Sequence, residues 1–489
     1  MTSPPPTLRL LLPLVAGIAL GKAIPLVAPV ILLIGLAAIV AISYGCLGGR
    51  LPRRDVCFPL CVCLFCIVLG CTICQRRLRT VAAPPLKVNT CYVGSVQEPP
   101  YPTERSFRCV VHSLNHDYTI YFLKDSLRRS SGQALSVPPA MGDRIVFRPH
   151  MRHGRTFVAV RGWKHLGSVP PTFRQRALRL REDIINMYAR WGVSPANLPI
   201  VSALTVGHRG ALSVGQRDEF ASAGIAHVLA LSGLHVGFVW ILLQCLLWPL
   251  RWHGHLRWLR WLVATVSLWL FALVGGLAPS VVRAVLMCSF MELGLLCRRR
   301  VFSVSTISLS ALVMLLYDPL YLFNVSFQLS FVAVVWIVAV VPWACRRWEP
   351  SNRLLRWVWC ATLVSVSAQL GTTPLAMHYF QSCPPYFLLA NLAAAVLVPL
   401  IVYGVACCLV WPGIAVVVDV LVTLLRGVAG TVGRLPYASV DTGEVGWPLT
   451  LLMYLTLVSL LVYLRLRRPL WFILFLGSMT GVLVLVWIL

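Results

Sequence analysis

Apolar residues fill long blocks along most of this chain, and charged residues collect in the gaps between them. Blocks near or above the ~20 residues needed to cross a bilayer recur from Leu8 to Leu489. Three open the chain, about Leu8–Ile24, Pro25–Leu47 and Val56–Cys74. The first has the look of a signal peptide, but a second apolar block follows at once and no small-residue cleavage site precedes a soluble domain, so it reads as a retained helix. Between Val81 and Lys164 the pattern shortens to alternation: Thr90–Val96, Phe107–Val111, Tyr118–Phe122, Arg144–Phe147 and Thr156–Val160, each bounded by Pro, Gly, Asn or Asp. Five strands at that spacing predict a small barrel of the OB-like kind. Phe173–Trp191 then mixes arginines with Leu178, Ile184, Ile185, Met187 and Tyr188 and reads as an amphipathic helix lying on a membrane surface. Long apolar blocks resume from Pro199. Ala390–Arg434, interrupted by Pro399 and Pro412, fits re-entrant half-helices, a surface helix or two spans, which leaves about ten to twelve helices in all. The predicted fold is a mostly α polytopic transmembrane bundle with one small β-barrel. Its parts are 1–80, a three-helix lead; 81–165, the barrel; 166–198, a basic linker helix; and 199–489, the main bundle.

Composition agrees. The chain is 58% hydrophobic and 12% charged, with a mean hydropathy of +0.78, which excludes an ordinary soluble domain. Charge adds a constraint: 43 Lys+Arg against 16 Asp+Glu give a net +27. Clusters at Arg50–Arg54, Arg251–Arg260, Arg298–Arg300, Arg346–Arg356 and Arg465–Arg468 fit cytoplasmic loops and place the barrel outside. Arg76 to Arg190 needs another reason, because it carries 20 basic and 7 acidic residues, a surplus of 13. That suits a polyanion, either nucleic acid or anionic lipid headgroups. Candidate contacts are Arg105, Arg108, Lys124, Arg144 and Arg148 on the barrel, with Arg174 and Arg176 on the linker. Tyr92, Phe107, Tyr118, Tyr121 and Phe122 could stack on bases, although half or more must fill the barrel core. Cys91 and Cys109 would face an oxidising compartment, and the sequence leaves open whether their strands let them pair. The six cysteines from Cys57 to Cys74 lack a coordinating spacing and read as apolar filler.

The densest candidate chemistry lies at His227–Val236, where His227, Ser232 and His235 flank Gly233 at the start of an apolar stretch expected to be helical to about Arg251. Polar groups at membrane depth cost several kcal/mol each unless paired or wetted, on the order of the penalties known for buried polar groups. Three around one glycine point to the wall of a polar cavity, against the plainer reading of interhelical hydrogen bonds. Arg283 sits mid-block, too deep to snorkel. Its structural alternative is a pair with Asp318 or a helix carbonyl. Gly17–Ala23 has a phosphate-loop flavour, but its spacing is one short and no Ser/Thr follows Lys22, so it reads as a helix end. No cofactor and no metal site is expected.

From Pro199 onward the order of motifs resembles the competence domain of the ComEC family. It comprises Leu204–Arg209 with Leu212-Ser213, Phe220–His227, Ser232–His235, Pro279–Ala284, Asp318-Pro319, Phe327–Phe331, Gln369–Leu375, and Asn391-Leu392 with Pro399-Leu400. The resemblance implies an inner-membrane channel that brings single-stranded transforming DNA into the cytoplasm. His227, Ser232, Gly233, His235, Arg283, Gln328, Ser330, Gln369, Thr372 and Asn391, with Thr373 and His378, would then line the path. It implies as partners single-stranded DNA, the lipid bilayer, an extracytoplasmic DNA receptor and a cytoplasmic helicase-like ATPase, and leaves a homodimer open. Two features depart from the family. His208 stands where members often carry an acid. Many members end in a metallo-β-lactamase-like domain, whereas this sequence ends in the apolar helix Pro469–Leu489 without a His-x-His-x-Asp-His cluster, so cleavage of the second strand is expected to fall to another protein. Two alternatives stand beside the channel: an intramembrane hydrolase using Ser232 with His227 or His235, and a transporter of another solute.

Overall fold

The computed structural model describes residues 5–23, 35–37, 39, 54–81, 86–87, 90–102, 106–114, 116–123, 138–150, 158–251, 256–297 and 303–488. Most of the expected helix Pro25–Leu47, the Arg298–Arg300 cluster, Arg105 and Lys124 lie outside the described residues.

The chain opens with α1 (Pro6–Ala23) and α2 (Arg54–Val81), packed as a close pair. Gly17, Gly21 and Gly70 make that closeness possible. A Cβ on Gly17 would fall 2.0 Å from the Ile67 carbonyl oxygen, and one on Gly70 would fall 2.5 Å from that of Leu14. Cys71 donates its thiol proton to the Gly17 carbonyl at 3.0 Å, and Cys66, Cys71 and Cys74 are buried, which is the filler role expected of them.

The β-domain follows as β1 (Tyr92–Val96), β2 (Tyr101–Pro102), β3 (Ser106–Ser113), β4 (His116–Leu123), β5 (Asp143–His150) and β6 (Val158–Ser168). Five expected strands appear in place, and the last runs past the expected boundary at 165. Antiparallel pairs β1–β3, β3–β4, β5–β6 and β1–β5 and the parallel pair β4–β6 connect the five longer strands in a closed ring, the small barrel expected from alternation. Val96, Val111, Tyr118, Ile120, Phe122, Ile145 and Phe147 fill it. Cys109 joins that core at 1% exposure while Cys91 is exposed, so the two do not pair and both stay free. Burial pushes the Cys109 thiol up to about 12, keeping it protonated and unreactive.

Helix α3 (Phe173–Arg190) starts at a capping box between Thr172 and Gln175. The surface-lying helix expected here is instead wedged between barrel and bundle. Gln175 donates to the Val96 carbonyl at 3.0 Å, Arg174 pairs with Glu98 at 2.6 Å, and Tyr188 donates to Thr205 at 3.1 Å.

The bundle comprises α4 (Leu198–Val206), α5 (Val214–Ser222), α6 (Gly233–Leu246), α7 (Arg257–Val274), α8 (Pro279–Leu296), α9 (Ser303–Tyr317), α10 (Val325–Arg347), α11 (Arg353–Phe380), α12 (Phe387–Cys408), α13 (Ala415–Gly433), α14 (Trp447–Leu466) and α15 (Pro469–Ile488). A small strand pair, β7 (Ser382–Cys383) with β8 (Val440–Asp441), ties the two ends of the α12–α13 hairpin. Among the described residues nine helices are long and apolar enough to cross a membrane, and α6 and α9 are shorter apolar helices. The chain is thus a multi-pass membrane protein. The ambiguous stretch after Ala390 resolves as two full helices, α12 and α13, packed on each other. Asp419 of α13 accepts from the Ser194 backbone and hydroxyl at 2.9 and 2.8 Å and from Asn197 at 3.0 Å, fastening the end of the linker to the bundle.

Candidate functional site

The expected helix from His227 to Arg251 is corrected at both ends. His227–Leu231 is a loop, α6 begins at Gly233 and closes at Leu246, and a short 3-10 turn covers Trp248–Arg251. Ser232 sets the start: it is the N-cap, and His235 occupies the third helical position, where a capping box usually has Glu or Gln. The Ser232 amide donates to His235 Nδ1 at 3.2 Å, and the Ser232 hydroxyl lies 3.0 Å from the same nitrogen. His235 is 1% exposed and its Nε2 has no partner among the described residues. His227 is exposed in the loop that precedes α6. The glycine has a steric role. A Cβ on Gly233 would lie 3.1 Å from Arg283 Nη2, so its absence lets the guanidinium approach the first turn of α6.

Arg283 is 6% exposed on α8, five residues into the helix. It donates from Nη1 to the Ser330 carbonyl of α10 and lies 5.5 Å from the Phe331 ring centre. Its Nε is buried without a partner. No carboxylate pairs with it among the described residues. Asp318, the acid considered for that place, instead binds Arg77 at 3.1 Å and caps the 3-10 turn at Leu320. Two helix starts meet here: α6 by the contact with Gly233, and α8 through Ser280, which donates to the Leu231 carbonyl at 2.9 Å. Helix N-termini carry partial positive charge, so the locale holds a buried cation and two positive dipole ends with no opposing acid among the described residues.

The remaining path candidates divide. Ser330 belongs to this cluster through its carbonyl. Gln328 ties the 3-10 turn to α11, donating to the Leu322 carbonyl at 2.8 Å and accepting from Tyr379 at 3.0 Å. Thr372 and Thr373 bond back to Ala368 and Gln369 within α11, and the adjoining Gly371 sits under Trp336. His378 donates from Nδ1 to the Val445 carbonyl at 2.6 Å and packs on Trp447. Gln369 and Asn391 are half-buried, and nothing places them against Arg283.

On the barrel, Arg108, Arg144 and Arg148 point outward and are exposed, and Arg108 stands opposite Tyr121 across the β3–β4 ladder. Arg176 is exposed, whereas Arg174 is spent on Glu98. Tyr118 and Phe122 are core.

Sequence reading missed the joint between barrel and bundle. Arg181 is 6% exposed with a partnerless Nε, donates to the Tyr101 hydroxyl at 3.3 Å, and lies beside Gly276 just before α8. Tyr101 stacks on His208 at 5.8 Å. Burial, and then Arg181, hold the His208 imidazole below its ordinary range. Only the arginine's place on the inner face of α3 could have signalled this. Also missed was Glu292 of α8, fully enclosed by Trp240 at 2.8 Å, Gln244 at 2.7 Å and Arg260 at 3.4 Å. Among the described residues no group of three metal-ligating side chains converges.

These features define a multi-pass membrane protein with a basic β-domain seated over a cation-bearing polar cluster. The Competence protein family model matches residues 204–467, more than half of the chain, and the chain belongs to that family. It is 32% identical over 246 residues to ComE operon protein 3 of Bacillus subtilis, covering 50% of this chain and 30% of that one. It is 27% identical over 220 residues to Recombination protein 2 of Haemophilus influenzae, covering 42% and 28%, and 29% identical over 177 residues to Competence protein ComA of Neisseria gonorrhoeae, covering 34% and 25%. The matches span less than a third of each of these relatives. No solved structure matches.

Proposed function

We propose that the chain is the inner-membrane conduit through which a single DNA strand reaches the cytoplasm, with the barrel on the outer side. One observation carries the reading: Arg283 is buried where two helix N-termini meet and no acid among the described residues answers it. A phosphodiester supplies the missing charge, while a cation or neutral solute gains nothing there. The guanidinium bonded to the Ser330 carbonyl is the closed arrangement. Passage exchanges that carbonyl for successive phosphates, a charge-assisted bond for a neutral acceptor. The run of the helices supports this sidedness. Arg181 joins the barrel at the start of α8, and Arg283 meets Ser330 near the start of α10. Arg346 lies 16 residues further along α10, ~24 Å at 1.5 Å per residue, so the Arg346–Arg347 cluster falls on the far face. Basic clusters favour the cytoplasm, which leaves the barrel outside to present Arg108, Arg144, Arg148 and Arg176 to the incoming strand.

The test is uptake of labelled single-stranded and duplex DNA by cells carrying Arg283→Ala, with the protein level in the membrane measured alongside. Loss of a charge-assisted contact predicts a fall of about tenfold or more for both DNA forms at normal membrane level. Unchanged uptake would remove Arg283 from the path. The Ser232–His235 contact superficially suits a hydrolase. Its geometry is that of a helix cap, and no carboxylate orients Nε2 among the described residues.

A further inference from the structure

A groove of about 840 Å³ runs between α1, α9 and α10, away from the Arg283 cluster's polar side. Its walls are aliphatic and aromatic. Leu12 at 61% exposure and Val335 at 51% form its open lips, and Phe327 and Phe331 lie along its length. At one end the lining changes to two guanidiniums, Arg346 of α10 and Arg465 of α14. Arg465 reaches the Ala339 carbonyl, next to the Val338 carbonyl that Pro342, lacking an N–H, leaves without its helical donor. Arg346 has no acidic partner among the described residues, and Arg347, over the Trp343 ring at 6.0 Å, adds a third positive charge.

We infer that this groove binds an anionic phospholipid, with the headgroup phosphate between Arg346 and Arg465 and an acyl chain along the trough. Charge and shape both select that occupant. Guanidiniums favour a phosphate over a zwitterionic headgroup whose own ammonium competes, and an apolar trough opening towards the bilayer takes a chain and not a polar solute. The dimensions agree. From Arg346 to Phe331 is 15 residues, ~22 Å along the helix. That is about one leaflet of a bilayer ~40–45 Å thick with its headgroups. The chain end then reaches Phe331, the ring on which Arg283 rests, so the occupied groove braces the candidate site from its lipid side.

The test uses the full-length protein in mild detergent, with bound lipid counted by native mass spectrometry after incubation with vesicles of phosphatidylglycerol or phosphatidylcholine. Phosphatidylglycerol is expected to be retained preferentially and to raise the unfolding temperature. Joint Arg346→Gln and Arg465→Gln substitution is expected to lower its retention about tenfold, as the loss of a charge-assisted contact predicts. Val335→Trp, which adds bulk at an exposed lip and leaves both arginines, should lower retention of the same lipid in protein that is still folded. Equal retention of both lipids, or full retention by the double variant, overturns the site. Stabilisation by inorganic phosphate alone, matching that of the lipid, overturns the lipid as its ligand. None of these readouts depends on DNA uptake, so failure here leaves the conduit reading standing and the converse also holds.

Discussion

His235 shows how one side chain can carry two meanings. Its position three after Ser232 was visible in the sequence as polarity within an apolar block, and that much was sound. What the pattern did not reveal is that His235 closes a capping box, because histidine rarely takes the role of Glu or Gln there. The two roles separate by substitution. Glutamine can accept from the Ser232 amide as the imidazole does, so His235→Gln should keep the unfolding temperature of the purified protein. His235→Ala should lose about 1 kcal/mol, the usual cost of a lost cap. If both lose the same, the cap does not hold the residue in place. Should His235→Gln stay stable yet take up little DNA, the ring itself serves the path. Arg283 was legible because depth without an escape route is a property of sequence position. Its partners were not, since Ser330 and Phe331 come from another helix 47 and 48 residues away.

At the level of elements, the apolar blocks and the alternating stretch translated almost directly into helices and barrel strands, because each buries its surface by local periodicity. Pairing between elements was less readable. Gly17–Ala23 does end α1, and its Gly17-x-x-x-Gly21 spacing also makes a small-xxx-small face on which α2 packs through Gly70. The Arg251–Arg260 cluster fits a cytoplasmic loop, and two of its members also hold the fold: Arg257 caps the end of α8 by donating to the Leu296 carbonyl at 2.9 Å, and Arg260 answers Glu292. Glu292 is 1% exposed, so stripping its partner strands a buried charge. Arg260→Met is therefore expected to destabilise the protein by about 3 kcal/mol. Adding Glu292→Gln should recover most of that, because Trp240 and Gln244 still satisfy the amide oxygen. A double variant no more stable than Arg260→Met in a thermal melt would show that the pair is not coupled.

For the whole molecule, the sequence distinguished barrel from bundle but not how they join, since Tyr101, Arg181 and His208 are each unremarkable in their own surroundings. The joint has a pH signature. His208 is held below its ordinary value of 6.5 by burial and by Arg181, so the folded protein resists a proton that the unfolded chain accepts. Stability at the joint is accordingly full above about 6.5 and falls as pH drops below it. Limited proteolysis between pH 7.5 and 5 should show faster cleavage between barrel and bundle in acid, and His208→Phe should flatten that dependence. Equal acid sensitivity in the variant would place the titrating group elsewhere.

The glycine-lined contact between α1 and α2 also sets an order for biogenesis. Those two helices can lock together as soon as residue 81 leaves the translocation machinery, but their neighbour α9 begins only at Ser303, where Thr7 finds Ser308 at 2.8 Å. The ribosome needs roughly 11–44 s to add the ~220 residues between, at ~5–20 residues per second. Throughout that interval the flank of the α1–α2 pair that α9 later covers is left to the lipid, so the membrane itself acts as its temporary partner until α9 arrives.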